Sequence, residues 1–86
     1  MGNSITQQDI DDIIANGKTE VITVGEKTTM VIFTTAEGFE MVETSACVDK
    51  ANYSKQLGTE ICLKKIKDRL WAFEGYYLQK ELARNK

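Results

Sequence analysis

The stretch "TSACVDKANYSKQLGTE", Thr44 to Glu60, decides how this chain folds, because it reads as the end of a strand running into a long helix. Ser45, Ala46 and Cys47 are small, as a strand must be where it passes close to the start of a helix that packs across it. Asp49 and Asn52 are both good caps, able to accept the first free N–H groups while the chain turns. Gly58 stands one turn inside the helical pattern, where it costs about 1 kcal/mol relative to alanine. A close-packed helix crossing, or the approach of a ligand, is the expected reason for it.

Upstream of this junction, from Thr19 to Ser45, the chain is β-branched and punctuated: EVITV, GEK, TTMVIFTT, AEG, then FEMVETSA. Strands joined by short Gly-bearing loops describe a three-stranded antiparallel meander. In the middle strand Met30, Ile32 and Thr34 alternate with Thr29, Val31 and Phe33, so both faces are apolar and cover is expected on both sides. The third strand alternates Phe39, Met41 and Glu43 against Glu40, Val42 and Thr44. Before the strands, Thr6 has the position of an N-cap, Asp9 sits three residues later near the positive helix end, and Ile5 and Ile10 have the spacing of a hydrophobic staple. A short helix should run to about Ala15 with Ile10, Ile13 and Ile14 on its apolar face. Asn16-Gly17 is expected to stop it in the left-handed conformation.

Downstream, one helical pattern runs from about Lys50 to Ala83, roughly 45 to 50 Å at 1.5 Å per residue. At about 100° per residue, Cys62, Leu63, Ile66, Leu70, Phe73 and Tyr77 fall on one side and Leu57, Ile61, Trp71, Leu78 and Leu82 on nearly the opposite side. The sheet can cover one stripe, and the short helix a little of the other. Trp71, Leu78 and Leu82 need more, which implies self-association through this helix. A break near Gly75, with residues 76 to 86 folding back, is the alternative. The expected architecture is α+β: one domain over residues 1–86, with a short N-terminal helix, a three-stranded meander and a long C-terminal helix that mediates oligomerisation.

Composition agrees with a small soluble domain: 86 residues, 42% hydrophobic and 28% charged, with no Pro and no Gly/Ser-rich run to mark a linker. No apolar stretch approaches the roughly 18 residues of a membrane span, and the first residues lack an apolar leader core, so a cytosolic protein is expected. Met1 to Thr6 fits the N-myristoylation pattern, though an ordinary free N-terminus is the expectation. Cys47 and Cys62 stand fifteen positions apart in a chain without histidine. That excludes a zinc site within one subunit and removes the commonest general base, so neither metal, cofactor nor catalysis is expected.

Charge is lopsided. Residues 1–49 carry nine acids against two lysines, −7, whereas residues 50–86 carry nine bases against four acids, +5. The first half would repel a nucleic-acid polymer, while the second permits a local anion site. On the helix wheel Gly58, Lys65, Arg69, Ala72 and Tyr76 lie within roughly 40° of one direction. Lys65 and Arg69, one turn apart, can share a phosphate or diphosphate, and Tyr76 can stack a base where Gly58 and Ala72 leave room. Asn52 and Ser54 at the helix start join the candidate ligand-binding set, beside N–H groups that favour anions. A solvated basic face and simple capping are the competing readings. Glu74 lacks a partner for acid chemistry and is assigned none.

Ser45-Ala46-Cys47-Val48-Asp49-x-Ala51-Asn52-Tyr53, then Gly58, then Leu70-Trp71-x-Phe73-Glu74-Gly75-Tyr76-x-Leu78 resembles the small tailed-phage protein family named after gene forty-nine of phage N-four and gene sixty-six of phage Sf-six. The two motifs span residues 45 to 78. Lys50 departs from the proline usual there, and a helix start tolerates either. The resemblance implies a phage or prophage origin and an accessory role. In size, in its sheet-then-long-helix plan and at the junction, the chain also resembles the phage proteins that sequester cyclic nucleotide signals of bacterial immunity, the family of Thoeris anti-defence protein one. No ligand residue is carried over from them.

Together these readings lead to a non-enzymatic phage protein, oligomeric through its long helix, that binds and sequesters a cyclic nucleotide or cyclic ADP-ribose signal in the host cytoplasm. The alternative is a host-takeover or regulatory protein that binds a bacterial protein through its acidic sheet half, with no small-molecule ligand. A minor virion component ranks lower, and an enzyme lowest.

Overall fold

The computed structural model describes residues 3–85. Met1 and Gly2, on which the myristoylation pattern depends, lie outside the described residues. Helix α1 (Gln7–Asn16) leads into strands β1 (Lys18–Val24), β2 (Thr28–Thr34) and β3 (Glu40–Ala46), a single 3-10 turn (Lys50–Asn52), and helix α2 (Lys55–Arg84).

The start of α1 follows from two side chains. Thr6 Oγ1 accepts the Asp9 N–H at 3.1 Å and the Asp9 carboxylate accepts the Thr6 N–H at 2.9 Å, a reciprocal capping box. Ile10 is fully buried and Ile5 packs against the same core, which completes the expected staple. The end of α1 differs from expectation. Gly17 is extended, at φ −96° and ψ −166°, not left-handed. Its lack of a side chain serves a close approach instead: a Cβ there would stand 2.5 Å from the Phe33 ring and from the Thr34 carbonyl. The left-handed glycines are Gly25 and Gly38, with φ of 68° and 96°, one in each hairpin loop.

The meander pairs in the order β1-β2-β3, antiparallel throughout. Its register aligns Thr19, Phe33 and Met41, then Val21, Val31 and Glu43, then Thr23, Thr29 and Ser45. Alternation puts those rows on one face, and that face receives both helices. The core comprises Ile10 of α1, Val31, Phe33 and Met41 of the sheet, and Cys62, Ile66 and Leu70 of α2. Each such side chain contributes about 1.5–3 kcal/mol by leaving water. The opposite face of the sheet carries Ile22, Met30, Ile32 and Val42, none of them in this core, with Val42 49% exposed. Cover on both sides, expected from the two-faced β2, is therefore not supplied by this chain: both of its helices are used on the inner face.

Helix α2 begins five residues later than the pattern suggested, because the junction holds two caps in succession. Asp49 Oδ1 accepts the Ala51 N–H at 2.9 Å and closes the 3-10 turn. Tyr53 is then extended, and Ser54 Oγ accepts the Leu57 N–H at 3.1 Å to start α2. From there the helix is continuous to Arg84 and passes through Gly75 without a break. Gly58, Cys62, Ile66 and Leu70 form its buried stripe. Gly58 marks a close-packed crossing, since a Cβ would stand 2.2 Å from the Thr29 hydroxyl. The second stripe is only partly open. Trp71, expected to need an outside partner, is half-buried and packs against the core, as do Leu63 and the α1 residues Ile13 and Ile14. Leu78 is also half-buried, whereas Leu57, Ile61 and Leu82 remain 55%, 39% and 40% exposed. Beyond Leu70 the helix outruns the sheet and gives the molecule its 56 × 21 × 17 Å extents.

Candidate functional site

The residues singled out in the sequence fall into two separate places. Ser54 lines a cleft of about 220 Å³ at the strand-to-helix junction, with Thr29, Ser45, Cys47, Tyr53 and Ile61 among its walls. Tyr53 builds this corner. Its hydroxyl lies 2.9 Å from the hydroxyls of both Thr23 and Thr29, which ties the start of α2 to β1 and β2 and satisfies the fully buried Thr29. No side chain of the lining carries a formal charge. The Ser54 hydroxyl is engaged as the α2 cap, and Asn52 lies exposed in the 3-10 turn, where its carbonyl stands 3.7 Å from Cys47 Sγ.

Lys65, Arg69 and Tyr76 lie further along α2, where the helix passes β3. Lys65 Nζ donates to the Thr44 carbonyl at 2.7 Å, and Arg69 Nη1 donates to Glu43 Oε2 at 3.2 Å. Both cations thus clamp α2 to β3. Lysine has three donors and arginine five, so each retains hydrogen-bonding capacity beyond the clamp. Glu43 offsets part of the positive charge, its side chain being 22% exposed and that of Arg69 42%. The Arg69 guanidinium also lies 5.7 Å from the Phe73 ring centre, and Phe73 meets Phe39 edge to face at 5.9 Å and 87°. One turn further, Tyr76 is 68% exposed with the Lys80 ammonium 5.4 Å from its ring centre.

The structure therefore brings Lys65, Arg69 and Tyr76 onto one side of α2 and leaves Asn52 and Ser54 apart from them. Ser54 and Tyr76 are separated by roughly 33 Å of helix at 1.5 Å per residue, more than one small ligand spans within a subunit. Three members of the aromatic and cationic strip were missed in the sequence reading: Phe39, Phe73 as a ring beside Arg69, and Lys80. The last two stand four residues after Arg69 and Tyr76, the spacing at which helical neighbours meet, and that signal was legible. Phe39 required the tertiary fold.

The thiols are distinct. Burial pushes the Cys62 thiol above its ordinary value, while Cys47 is half-exposed. Among the described residues no group of three or more His, Cys, Asp or Glu is placed to hold a metal ion, and no helix is long and apolar enough to cross a membrane.

No curated protein and no solved structure matches this chain. A family model does: that of the phage protein family described as N4 Gp49/phage Sf6 gene 66, which matches residues 5–82, from the α1 staple through the meander, the junction and nearly all of α2. Both the Ser45–Tyr53 junction motif and the Leu70–Leu78 helical motif lie inside that span, and the chain belongs to this phage protein family.

Proposed function

We propose that this phage protein acts without catalysis, in the host cytoplasm, as a homo-oligomer through α2 that binds and sequesters a cyclic nucleotide or cyclic ADP-ribose signal. The observation that carries the reading is the interleaving of exposed rings and cations along one side of α2: Arg69 against Phe73, and Lys80 against Tyr76. Rings stack on bases whatever their identity, while guanidinium and ammonium groups take the phosphates. A signal with two or more phosphates and two bases matches such an alternating surface better than an isolated anion does. Self-association through the exposed Leu57, Ile61 and Leu82 would bring a second strip within reach of one ligand.

Titration calorimetry against cyclic dinucleotides, cyclic trinucleotides and cyclic ADP-ribose isomers tests the reading. A sequestering protein neutralises about one signal molecule per subunit, so binding should be nanomolar, near −12 kcal/mol. The Lys80→Ala and Tyr76→Ala variants should each weaken it without lowering Tm, because both side chains project from the exposed side of α2. Arg69→Ala should weaken binding by about 1.5–3 kcal/mol and should also lower Tm, since it leaves Glu43 without its partner. Absence of heat for every member of the panel sinks the proposal.

A second reading is a host-takeover or regulatory role through a bacterial protein, with no small-molecule ligand. It is favoured by the uncovered outer face of the acidic sheet half, and it takes precedence if no nucleotide is retained.

A further inference from the structure

The outer face of the sheet carries an apolar surface that neither helix covers. Its four rows follow from the register: Lys18, Thr34 and Glu40; Glu20, Ile32 and Val42; Ile22, Met30 and Thr44; Val24, Thr28 and Ala46. The middle rows hold Ile32, Val42, Ile22 and Met30 beside Glu20 and Thr44, and Val42 is 49% exposed, as is Val24 of the end row at 46%. A flat three-stranded face of this kind measures about 14 by 23 Å from ordinary strand spacing and rise. Sheets with one apolar face bury it against a second layer.

We propose that this layer is the same face of a second copy, stacked so that β2 lies over β2 about a two-fold axis parallel to that strand. The charges select this occupant and this orientation. Lys18 and Glu40 belong to the same row, on the two strands that flank β2. A two-fold along β2 exchanges the flanking strands, so it sets each Lys18 over the partner copy's Glu40, twice per dimer. The same operation sets Ile32 over Ile32 and Met30 over Met30, and closes Ile22, Val24 and Val42 beneath the opposite sheet. Neither Lys18 nor Glu40 forms an ion pair within the chain among the described residues, and both are exposed. The operation also sets Glu20, the remaining charge on the face, over the partner copy's Val42; Glu20 stands on the edge strand β1, so its carboxylate reaches water past that side chain. Rotating one sheet by half a turn about the face normal would instead oppose Lys18 to Val24 and Glu40 to Ala46 and leave both charges unpaired. The proposal is independent of the α2 contact in the preceding section.

The test is a charge exchange read by sedimentation equilibrium on the full chain. Lys18→Glu and Glu40→Lys each create two like-charge contacts across the axis and should weaken dimerisation at least about tenfold. The double variant K18E/E40K restores both pairs with reversed polarity and should return close to the wild-type constant. Both positions are exposed, so circular dichroism should report an unchanged fold in every variant. Equal association of all four proteins overturns the proposal, as does loss in the single variants without recovery in the double. Monomeric wild type at tens of micromolar overturns it too, and leaves the face to a host protein. Dissociation by Leu82→Glu with no response to the charge exchange assigns self-association to α2 alone.

Discussion

The two halves of α2 are one continuous helix with opposite reasons for their sequence. From Lys55 to Leu70 every fourth residue is buried, and the stripe of Gly58, Cys62, Ile66 and Leu70 is packed on the inner sheet face. From Trp71 to Arg84 no residue is fully buried, and Phe73, Tyr76, Tyr77 and Leu82 stand in solvent. Apart from Trp71 against the core and Phe73 against Phe39, this half packs little, and a helix of about fourteen residues is marginal in water on its own. It persists because the first half nucleates it. The contrast separates a half whose sequence is set by the core from a projecting half that presents most of its large side chains to solvent.

The largest expected effect of breaking this contrast lies in the core. Ile66→Ala should lower unfolding free energy by about 2–5 kcal/mol, whereas Leu82→Ala, in the projecting half, should cost under about 1 kcal/mol, as urea unfolding at concentrations below self-association would measure. Equal losses would mean that the second half is packed as tightly as the first.

Next in size are the two helical glycines, whose substitutions should have opposite signs. Gly58→Ala drives a Cβ into Thr29 Oγ1 and disturbs the Tyr53 hydroxyl cluster, and should destabilise by about 1–3 kcal/mol. At Gly75 a Cβ meets nothing within 4 Å, so Gly75→Ala should stabilise by about 0.5–1 kcal/mol through helix propensity alone. A destabilising Gly75→Ala would show that the projecting half approaches a neighbour there, and would place the oligomer contact at that position.

These glycines also show what the sequence could convey. A glycine one turn into a helix signals close packing, and the pattern of Cys62, Ile66 and Leu70 names the face that packs, so a close crossing of α2 on the sheet was legible. The strand met at Gly58 is β2, through Thr29, whereas the small residues had pointed to β3. The capping box of Thr6 and Asp9, the three strands and their two loops were legible for the same reason: each rests on local spacing. What failed was whatever depended on a third element. Gly17 was read as a left-handed stop, yet its role is set by the Phe33 ring from a different strand. Trp71 was expected to need more cover than the chain supplies, yet it is half-buried against the core, because how far that core reaches along α2 is not a local property. Of the candidate site, the side of α2 was legible from helical spacing. The engagement of Lys65 by Thr44 and of Arg69 by Glu43 was not, because it depends on where β3 comes to lie.

The smallest effect concerns the thiols, which sharpen the comparison without perturbing it. Cys47, half-exposed at the junction, should react with a maleimide or disulfide reagent in the folded protein; Cys62, fully buried, should react only on unfolding. Burial raises the Cys62 pKa in the folded state. The folded protein therefore holds this proton where the unfolded chain has released it. Stability from this group is present below the ordinary thiol value near 9.0 and falls as pH rises above it. Equal labelling rates for the two thiols at pH 8 would contradict the tight seating of α2 on β2.

The measurement that bears most directly on the projecting half as a ligand surface is native mass spectrometry of the protein after incubation with the panel of cyclic nucleotides and cyclic ADP-ribose isomers. A retained mass of about one nucleotide per subunit is expected for at least one member of the panel, released by heat with that mass unchanged, and lost in Tyr76→Ala while Val48→Ala, at a side chain 95% exposed and away from the strip, retains it. An absence of bound mass across the panel would contradict this expectation, and so would a linearised or deaminated product accumulating beyond one equivalent per subunit.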